Sequence, residues 1–188
     1  MKNKVRCSWC EKDDLYRDYH DNEWGNPVYD DAKLFEFLVL ETFQAGLSWY
    51  TILSKRENFR LAFDAFDYQK VAKYSEDKIQ ELLLNAGIIR NQLKIRATVA
   101  NAIAFIKVQE EFGSFSTYIW NFTNGKPIVN YPKTMKDISA TTPLSDAISK
   151  DLKKRGFKFV GSTVVYAHMQ ATGMVDDHVE DCWKKSPR

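Results

Sequence analysis

The segment LFEFLVLETFQAGLSW, residues Leu34 to Trp49, guides the interpretation of the whole chain. Its first part is apolar on almost every side, which is typical of a helix buried in a protein core. Glu41 lies inside this helix and, three residues after Leu38, shares the face of that leucine. Burying an ionised carboxylate without a partner costs several kcal/mol. Glu41 therefore needs a structural ion pair, a position at the rim of the core, or a cavity that a ligand fills.

The end of the same segment predicts a tight turn next to aromatic side chains. In the run from Gln44 to Trp49, Gly46 gives a small flexible tip beside Leu47 and the indole of Trp49. Before the segment, Asp30 and Asp31 are predicted to cap the helix and to supply its acidic first turn.

Composition indicates a globular protein of 188 residues with twelve Phe, nine Tyr and five Trp. A net charge of +2 is too small to indicate a nucleic-acid partner, so that evidence has to come from local clusters. No apolar run approaches the roughly 20 residues of a membrane span, and the first ten residues lack the apolar core of a signal peptide. We therefore expect a cytoplasmic protein that does not enter membranes.

Hydrophobic periodicity predicts an all-α fold, because no segment shows sustained period-two alternation. An irregular, aromatic-rich arm is expected over 1–29, and a surface loop or lid over 123–142, which holds three of the five prolines. The longest predicted helix runs from Asn91 to Phe112 and stops at Gly113. Further helices are predicted over 48–56, 58–63, 67–71, 75–87, 115–122, 143–155 and 162–172.

The run LKKRGFKFVGSTVVYAHMQATG, residues 152–173, predicts a helix, a hairpin and a second helix. Gly156 allows a sharp exit from the first helix, and Gly161 allows a close approach of the backbone to another molecule. Ser162 and Thr163 add hydroxyl groups beside the free N–H groups of the second helix, which together form a phosphate site.

Five cations fall within nine residues beside this hairpin, and they favour phosphate binding over an ordinary turn with a solvated basic helix end. They are Lys150, Lys153, Lys154, Arg155 and Lys158.

The three cysteines lie close to the two ends of the chain, as do two of the three histidines. His178 and Cys182 are four residues apart and would point the same way on a helix, a workable spacing for zinc. Any two of Cys7, Cys10 and His20 would complete a four-ligand site. The alternative is that Cys182 is a thiol without a function in an irregular tail and that the spacing of Cys7 and Cys10 is incidental. A site with four protein ligands would be structural and would tie the ends together.

Six motifs form a combination that is specific when all are taken together. They are RCSWC at 6–10, LYRDYHDNEWGNP at 15–27, LETFQAGLSW at 40–49, NAGIIRNQLKI at 85–95, LKKRGFKFVGST at 152–163 and DDHVEDC at 176–182. In this combination the chain resembles the bacterial 3-methyladenine DNA glycosylase I family, within the helix-hairpin-helix DNA glycosylase superfamily. The resemblance implies one glycosylase domain over 1–188, with two helical lobes and a pocket between them.

The resemblance also implies the site residues. Glu41 would recognise the base, Leu47 and Gly46 would form the tip that enters the duplex, and a structural zinc would join the termini. The aromatic walls of the pocket would be Trp9, Tyr16, Tyr19 and Trp49, and the zinc ligands Cys7, His20, His178 and Cys182. Contacts to DNA would come from the hairpin residues Lys154, Arg155, Gly156, Lys158, Gly161, Ser162 and Thr163. Cys10 departs from the family pattern and could compete with Cys7 for zinc.

The expected activity is hydrolytic release of 3-methyladenine from double-stranded DNA by a monomeric enzyme without lyase activity. A flipped cationic purine would be the missing partner of Glu41. In the wider superfamily a catalytic Asp follows the hairpin, and Asp176 or Asp177 falls at that place. Two other hypotheses are a non-catalytic zinc protein that binds damaged DNA and a zinc hydrolase with another substrate. The absence of an HExxH motif weighs against the hydrolase.

Overall fold

The computed structural model describes residues 4–185, and these residues form a mainly helical protein. Ten α-helices follow one another along this part of the chain. They are α1 (Asp14–Asn22), α2 (Asp31–Gln44), α3 (Trp49–Leu53), α4 (Arg56–Ala62), α5 (Tyr68–Val71), α6 (Glu76–Leu84), α7 (Gln92–Phe112), α8 (Phe115–Asn121), α9 (Pro143–Lys154) and α10 (Ser162–Ala171). The all-α prediction is confirmed. The bounds predicted for the domain, 1–188, extend at both ends beyond the described residues, and its division into two lobes stays a prediction.

Helix α2 is the buried helix that its sequence predicts. The Asp30 carboxylate caps it by accepting a hydrogen bond from the Lys33 N–H. All residues from Leu34 to Phe43 are buried, and α2 packs against α3, α7, α8 and α10. Because α2 lies at the centre, each side chain from Leu34 to Phe43 faces another element or a cavity.

Capping residues set the ends of the other predicted helices. The side chains of Asp67, Ser75, Asn91 and Thr142 each accept a hydrogen bond from a backbone N–H in the first turn of the helix that follows. Pro143 occupies the first turn of α9, where its fixed φ suits the helix and its missing N–H is not needed. Helix α6 ends at Leu84, three residues before the predicted Gly87.

The prediction of an irregular arm over 1–29 is wrong, whereas the predicted loop over 123–142 is irregular apart from short elements. The arm over 1–29 contains the regular helix α1, capped by the Asp13 side chain, and its residues Tyr19 and His20 are buried. The segment 123–142 contains a two-residue strand, β1 (Ile128–Val129). It pairs in parallel with β2 (Val175–Asp176), Ile128 opposite Val175. Short elements of this kind lack the length that periodicity needs, so tertiary packing decides them.

Two apolar clusters hold the described residues together. The larger one includes Phe35, Phe105 and Phe115 from three helices. The smaller one joins Cys7, Tyr19, Phe37 and Cys182, so segments near both ends of the described residues meet at Phe37 of α2. Within residues 4–185 no helix combines the length and apolar character needed to cross a bilayer.

Candidate functional site

A cavity of about 340 Å³ opens where α1, α2, α3 and α10 meet. This volume lies at the lower end of the roughly 300–1,000 Å³ range of small-molecule sites. The five residues predicted to form the pocket all line this cavity. They are Trp9, Tyr16, Tyr19, Glu41 and Trp49.

The aromatic walls of the cavity pack against one another. The Trp9 ring lies edge-on to the ring of Tyr16, with centroids 5.0 Å apart, and to that of Trp24, with centroids 5.1 Å apart. The rings of Tyr19 and Trp49 are 5.3 Å apart. Edge-on contacts of this kind are favourable and hold each ring in place, so the flat faces that remain open are fixed before a ligand enters.

Glu41 is the acidic side chain of this cavity, and it is 4 % exposed. Burial raises the pKa of its carboxyl to about 8. Its Oε2 is buried with no hydrogen-bond partner in the described part of the chain, and the same holds for Nε1 of Trp49. The structural ion pair considered for Glu41 is therefore absent from residues 4–185. The cavity therefore presents a buried acceptor, Glu41 Oε2, and a buried donor, Trp49 Nε1, that a bound ligand can pair with.

The predicted tip lies beside this cavity. A second cavity of about 200 Å³ is lined by Glu41, Gly46, Leu47 and Thr163 among others. Of these two cavities around Glu41, the one of about 340 Å³ is the larger cavity and this one is the smaller cavity. Leu47 is 41 % exposed, and Gly46 has a φ of +81°, which favours glycine. The tip between α2 and α3 and the first turn of α10 therefore line the same cavity, next to Glu41.

The hairpin before α10 is held from behind by buried polar side chains. Asn101 of α7 is fully buried; its Oδ1 accepts from the Lys158 N–H at 2.7 Å, and its Nδ2 donates to the Lys158 carbonyl at 3.1 Å. The Ser149 hydroxyl donates to the carbonyl of Val160 at 2.6 Å. Gly156 has a φ of +96°, as its predicted role in the exit from α9 requires.

The N-terminus of α10 remains open. Its cap, Gly161, provides no side-chain hydrogen bond. The Ser162 hydroxyl is instead 2.7 Å from that of Ser145, whereas Thr163 is exposed. The first N–H groups of α10 are thus available to an anion.

Arg155 differs from the other predicted cations of the hairpin. Its guanidinium donates to the carboxylates of Glu111 and Asp151 and lies over the rings of Phe112 and Tyr118. These contacts turn it toward α7 and α8. Its neighbours Lys154 and Lys158 are exposed.

A group of metal-binding side chains joins the two ends of the described chain. The ligand atoms of Cys7, His20 and Cys182 all lie within 4.8 Å of one another, and all three residues are buried. Hydrogen bonding between the two sulfurs lowers the pKa of the Cys182 thiol and raises that of Cys7. Two sulfurs and an imidazole are a donor set that zinc prefers.

His178 adjoins this group and fits a fourth ligand. Its ring centroid is 5.2 Å from that of His20, and its Nε2 is buried without a hydrogen-bond partner among residues 4–185. In both histidines Nδ1 is 2.8 Å from a carboxylate oxygen, that of Asp21 for His20 and that of Asp176 for His178. Carboxylates commonly orient zinc-binding histidines in this way and leave Nε2 for the metal.

One expectation about this cluster needs correction. His178 and Cys182 do not lie on a helix, because the chain from 177 onward is irregular and turns back through a hydrogen bond from the Cys182 N–H to the Val179 carbonyl. Cys10 lies outside the three-residue group, and its thiol donates to the Cys7 carbonyl.

The carboxylates of Asp176 and Asp177 do not line the larger cavity. The Asp176 carboxylate accepts from the backbone N–H of His178 and lies 3.3 Å from the Lys185 ammonium. Asp177 accepts hydrogen bonds from Asn130, Tyr166 and Gln170. Both carboxylates are therefore already engaged within the protein.

Sequence reasoning missed part of the cavity wall. Tyr166 and Gln170 line it from α10, and their spacing of four residues places them on one face of that helix. Met135 and Ile138 line it from the segment 123–142, where no local pattern indicated a role. The other unpredicted lining residues are Trp24, Gln44, Ser139, Ala140 and Ala167, while Thr163, predicted as a DNA contact, also lines the cavity.

The chain is similar to known proteins over nearly its whole length. The family described as Methyladenine glycosylase matches residues 9–185. DNA-3-methyladenine glycosylase 1 of Escherichia coli is 50% identical over 177 residues, which are 94% of this chain and 95% of that protein. DNA-3-methyladenine glycosylase of Haemophilus influenzae is 48% identical over 178 residues, 95% of this chain and 96% of that protein.

The fold is also similar to solved structures of enzymes with the same name. A crystal structure of 3-methyladenine DNA glycosylase I has a TM-score of 0.94 and 47% identity, and the match covers 97% of this chain and 100% of that one. The enzyme from Staphylococcus aureus, studied for its recognition of 3-methyladenine, has a TM-score of 0.93 and 38% identity over 97% of each chain. The fold and the site define the class of protein as a DNA glycosylase. The chain belongs to the methyladenine glycosylase family.

Proposed function

We propose that this enzyme flips 3-methyladenine out of alkylated double-stranded DNA and releases it by hydrolysis. The observation that carries the proposal is the buried, unpartnered carboxylate of Glu41 in a cavity walled by aromatic rings. A base has to leave the stack before an enzyme can act on it, and the cavity has the size and the flat walls that a flipped purine needs.

The charge of the damaged base explains the choice of residues. N3-methylated adenine in DNA is cationic, and aromatic faces attract a cation by about 1–2 kcal/mol each in a dry site. Glu41 would balance that charge and accept hydrogen bonds from the amine, while the Trp49 indole N–H would donate to a ring nitrogen. A neutral base carries no positive charge to stabilise the ionised form of the buried Glu41 carboxyl, and the site therefore selects against it.

The proposed DNA contacts lie on two sides of the smaller cavity. Leu47, at the exposed tip, would occupy the gap that the flipped nucleotide leaves, and Gly46 would let the backbone approach the duplex. The open N-terminus of α10 with the exposed Lys154 and Lys158 would hold a backbone phosphate. Arg155 would act on this surface indirectly, because its guanidinium is paired with Glu111 and Asp151.

The proposed reaction breaks the glycosidic bond between the sugar C1′ and the base N9. Water adds its oxygen to C1′ and gives up a proton, and the electron pair of the broken bond leaves with the base. Because the base is already cationic it leaves as a neutral molecule, so positioning supplies much of the catalysis. Within residues 4–185 no lysine lines the larger cavity, which supports hydrolysis without Schiff-base lyase chemistry.

The proposed zinc site consists of Cys7, His20, His178 and Cys182. Four protein ligands leave no open position, so the metal would stabilise the joined ends and take no part in the reaction. The same argument disfavours the zinc hydrolase hypothesis. Family membership disfavours the non-catalytic binder of damaged DNA. We further propose that the enzyme works as a monomer in the cytoplasm.

The test is chromatography of the bases released from methylated duplex DNA by the wild type, by Glu41→Gln and by Lys73→Met as a surface control. We expect the wild type and the control to release 3-methyladenine, and Glu41→Gln to release it at least tenfold more slowly. Wild-type protein that binds methylated DNA without releasing a base would refute the proposal in favour of the binder. Unchanged release by Glu41→Gln would refute the assigned role of Glu41.

A further inference from the structure

Asp177 is the centre of a buried polar network beside the larger cavity. It is 2 % exposed, and its carboxylate accepts three hydrogen bonds. The donors are Nδ2 of Asn130 at 2.7 Å, the hydroxyl of Tyr166 at 2.7 Å and Nε2 of Gln170 at 2.8 Å. Two of these donors, Tyr166 and Gln170, also line the cavity. The proposed function assigns no role to this network.

The network determines which way the Gln170 amide points. A carboxylate can only accept, so the atom of Gln170 that faces Asp177 has to be the NH₂ group. The oxygen Oε1 is then left over, and it has no hydrogen-bond partner among the residues that the structure describes. Gln170 lines the cavity, and its amide oxygen cannot exchange places with its nitrogen while Asp177 is ionised.

An acceptor held in this way can distinguish the two purines. Adenine carries an exocyclic amine, which donates hydrogen bonds, where guanine carries the oxygen O6, which only accepts. An amine has two hydrogens, and Glu41 can accept only one of them in a planar arrangement. In guanine the oxygen O6 takes the place of this amine and would face Oε1 of Gln170 with no hydrogen between the two atoms. Two unpaired acceptors are costly in a dry site.

We propose that Gln170 is a specificity-determining residue that accepts a hydrogen bond from the amine of 3-methyladenine, and that Asp177 is the positioning residue that keeps its oxygen toward the base. This inference rests on the proposed function. It identifies the substrate class more narrowly, as 3-methylpurines with a 6-amino group, and excludes 3-methylguanine as an equal substrate.

Glu41 by itself discriminates less well between these purines. Because burial raises its pKa to about 8, Glu41 can take up a proton near neutral pH and donate to a guanine O6. An amide does not change its protonation state in this range. The Gln170 oxygen thus remains an acceptor at every pH where the enzyme is folded.

The test measures kcat/KM for release of 3-methyladenine and of 3-methylguanine from the same methylated duplex DNA. For Gln170→Leu we expect the ratio of the two values to fall about tenfold, as loss of one net hydrogen bond of about 1.4 kcal/mol predicts. For Asp177→Asn we expect a similar or larger fall, because the new amide lets Gln170 turn its NH₂ group toward the base. Gln80→Leu, an exposed glutamine on α6, is the matched control and should keep the wild-type ratio.

Melting curves and zinc content establish that each variant is folded. A wild-type ratio in either folded variant overturns the corresponding assignment, to Gln170 or to Asp177. Binding of the free bases to the wild type, followed by tryptophan fluorescence, tests the inference without any variant, and equal affinity for 3-methyladenine and 3-methylguanine overturns it. Failure of the proposed function gives a different result, namely a wild type that releases neither base.

Discussion

The ammonium group of Lys94 donates a hydrogen bond to the backbone carbonyl of Ala45 at 2.6 Å. A second bond, to the carbonyl of Phe43, is 2.8 Å long. Lys94 is 6 % exposed, and burial lowers the pKa of its ammonium group. The positive charge lies at the C-terminal end of α2, where it interacts favourably with the helix dipole. Its hydrogen bonds also pair carbonyl groups that have no partner within the helix. The tip at Gly46 and Leu47 is thereby fastened to α7.

Replacing Lys94 with Met should loosen this tip. The variant loses two charge-assisted hydrogen bonds, and we expect a loss of about 2–3 kcal/mol in the free energy of unfolding, measured with urea. Release of 3-methyladenine from DNA should fall more than binding of the free base, because only the duplex meets the tip. Lys73→Met, an exposed lysine, is the control. Equal losses in both assays would contradict the role in positioning the tip.

Asn101 offers a separate test of the hairpin. Asn101→Leu removes both hydrogen bonds to the backbone of Lys158, at a cost of about 0.5–1.5 kcal/mol each. We expect the affinity for duplex DNA, measured by fluorescence anisotropy, to fall about tenfold or more. Affinity for free 3-methyladenine should remain within twofold. The exposed Asn121→Leu serves as the control, and an unchanged DNA affinity in folded Asn101→Leu would contradict the prediction.

The pKa of Glu41 predicts how stability depends on pH. Its ordinary value of 4.5 applies to the unfolded chain and about 8 to the folded one, so the folded state holds a proton between these values that the unfolded state has lost. Stability should therefore fall as the pH rises from 4.5 to 8, by up to about 1.4 kcal/mol per pH unit from this group. Glu41→Gln should remove that slope. The difference in melting temperature between this variant and the wild type should therefore increase, in favour of the variant, as the pH rises from 4.5 to 8. A constant difference would contradict the raised pKa.

The activity on DNA should rise with pH over the range in which the stability falls. The ionised carboxylate balances the cationic base, so kcat/KM on DNA should rise with pH toward about 8 in the wild type. Glu41→Gln has no such group and should give a flat profile over the same range. Parallel profiles for the two proteins would show that another group controls the dependence.

Metal removal tests the cluster at the chain ends. We expect purified protein to hold one zinc, and a chelator that removes it should lower the melting temperature because metal binding contributes folding free energy. Cys182→Ser should lose the metal and Cys10→Ser should keep it, since the Cys10 thiol lies outside the group of donors. Zinc loss from Cys10→Ser would mean that Cys10 competes with Cys7.

Local sequence patterns predicted most of the helices because their signals act within a few residues. The side chain of Asp30 caps α2 as expected, and those of Asn91 and Thr142 likewise cap the helices that follow them. Helix α1 was missed because its aromatic residues suggested an irregular arm. Short elements such as β1 and β2 depend on a partner about 50 positions away, and no local pattern encodes that pairing.

The sequence by itself determined the helical class, the buried carboxylate in α2, the flexible tip after it and the concentration of metal-binding residues at both ends. These properties follow from residue type and spacing. Only the tertiary structure decided that Glu41 Oε2 and His178 Nε2 have no hydrogen-bond partner among residues 4–185, and that Gln170 donates to Asp177. Each of these depends on distances between segments far apart in sequence, because hydrogen bonds and burial are set when helices pack, whereas capping and periodicity are already present in the unpacked chain.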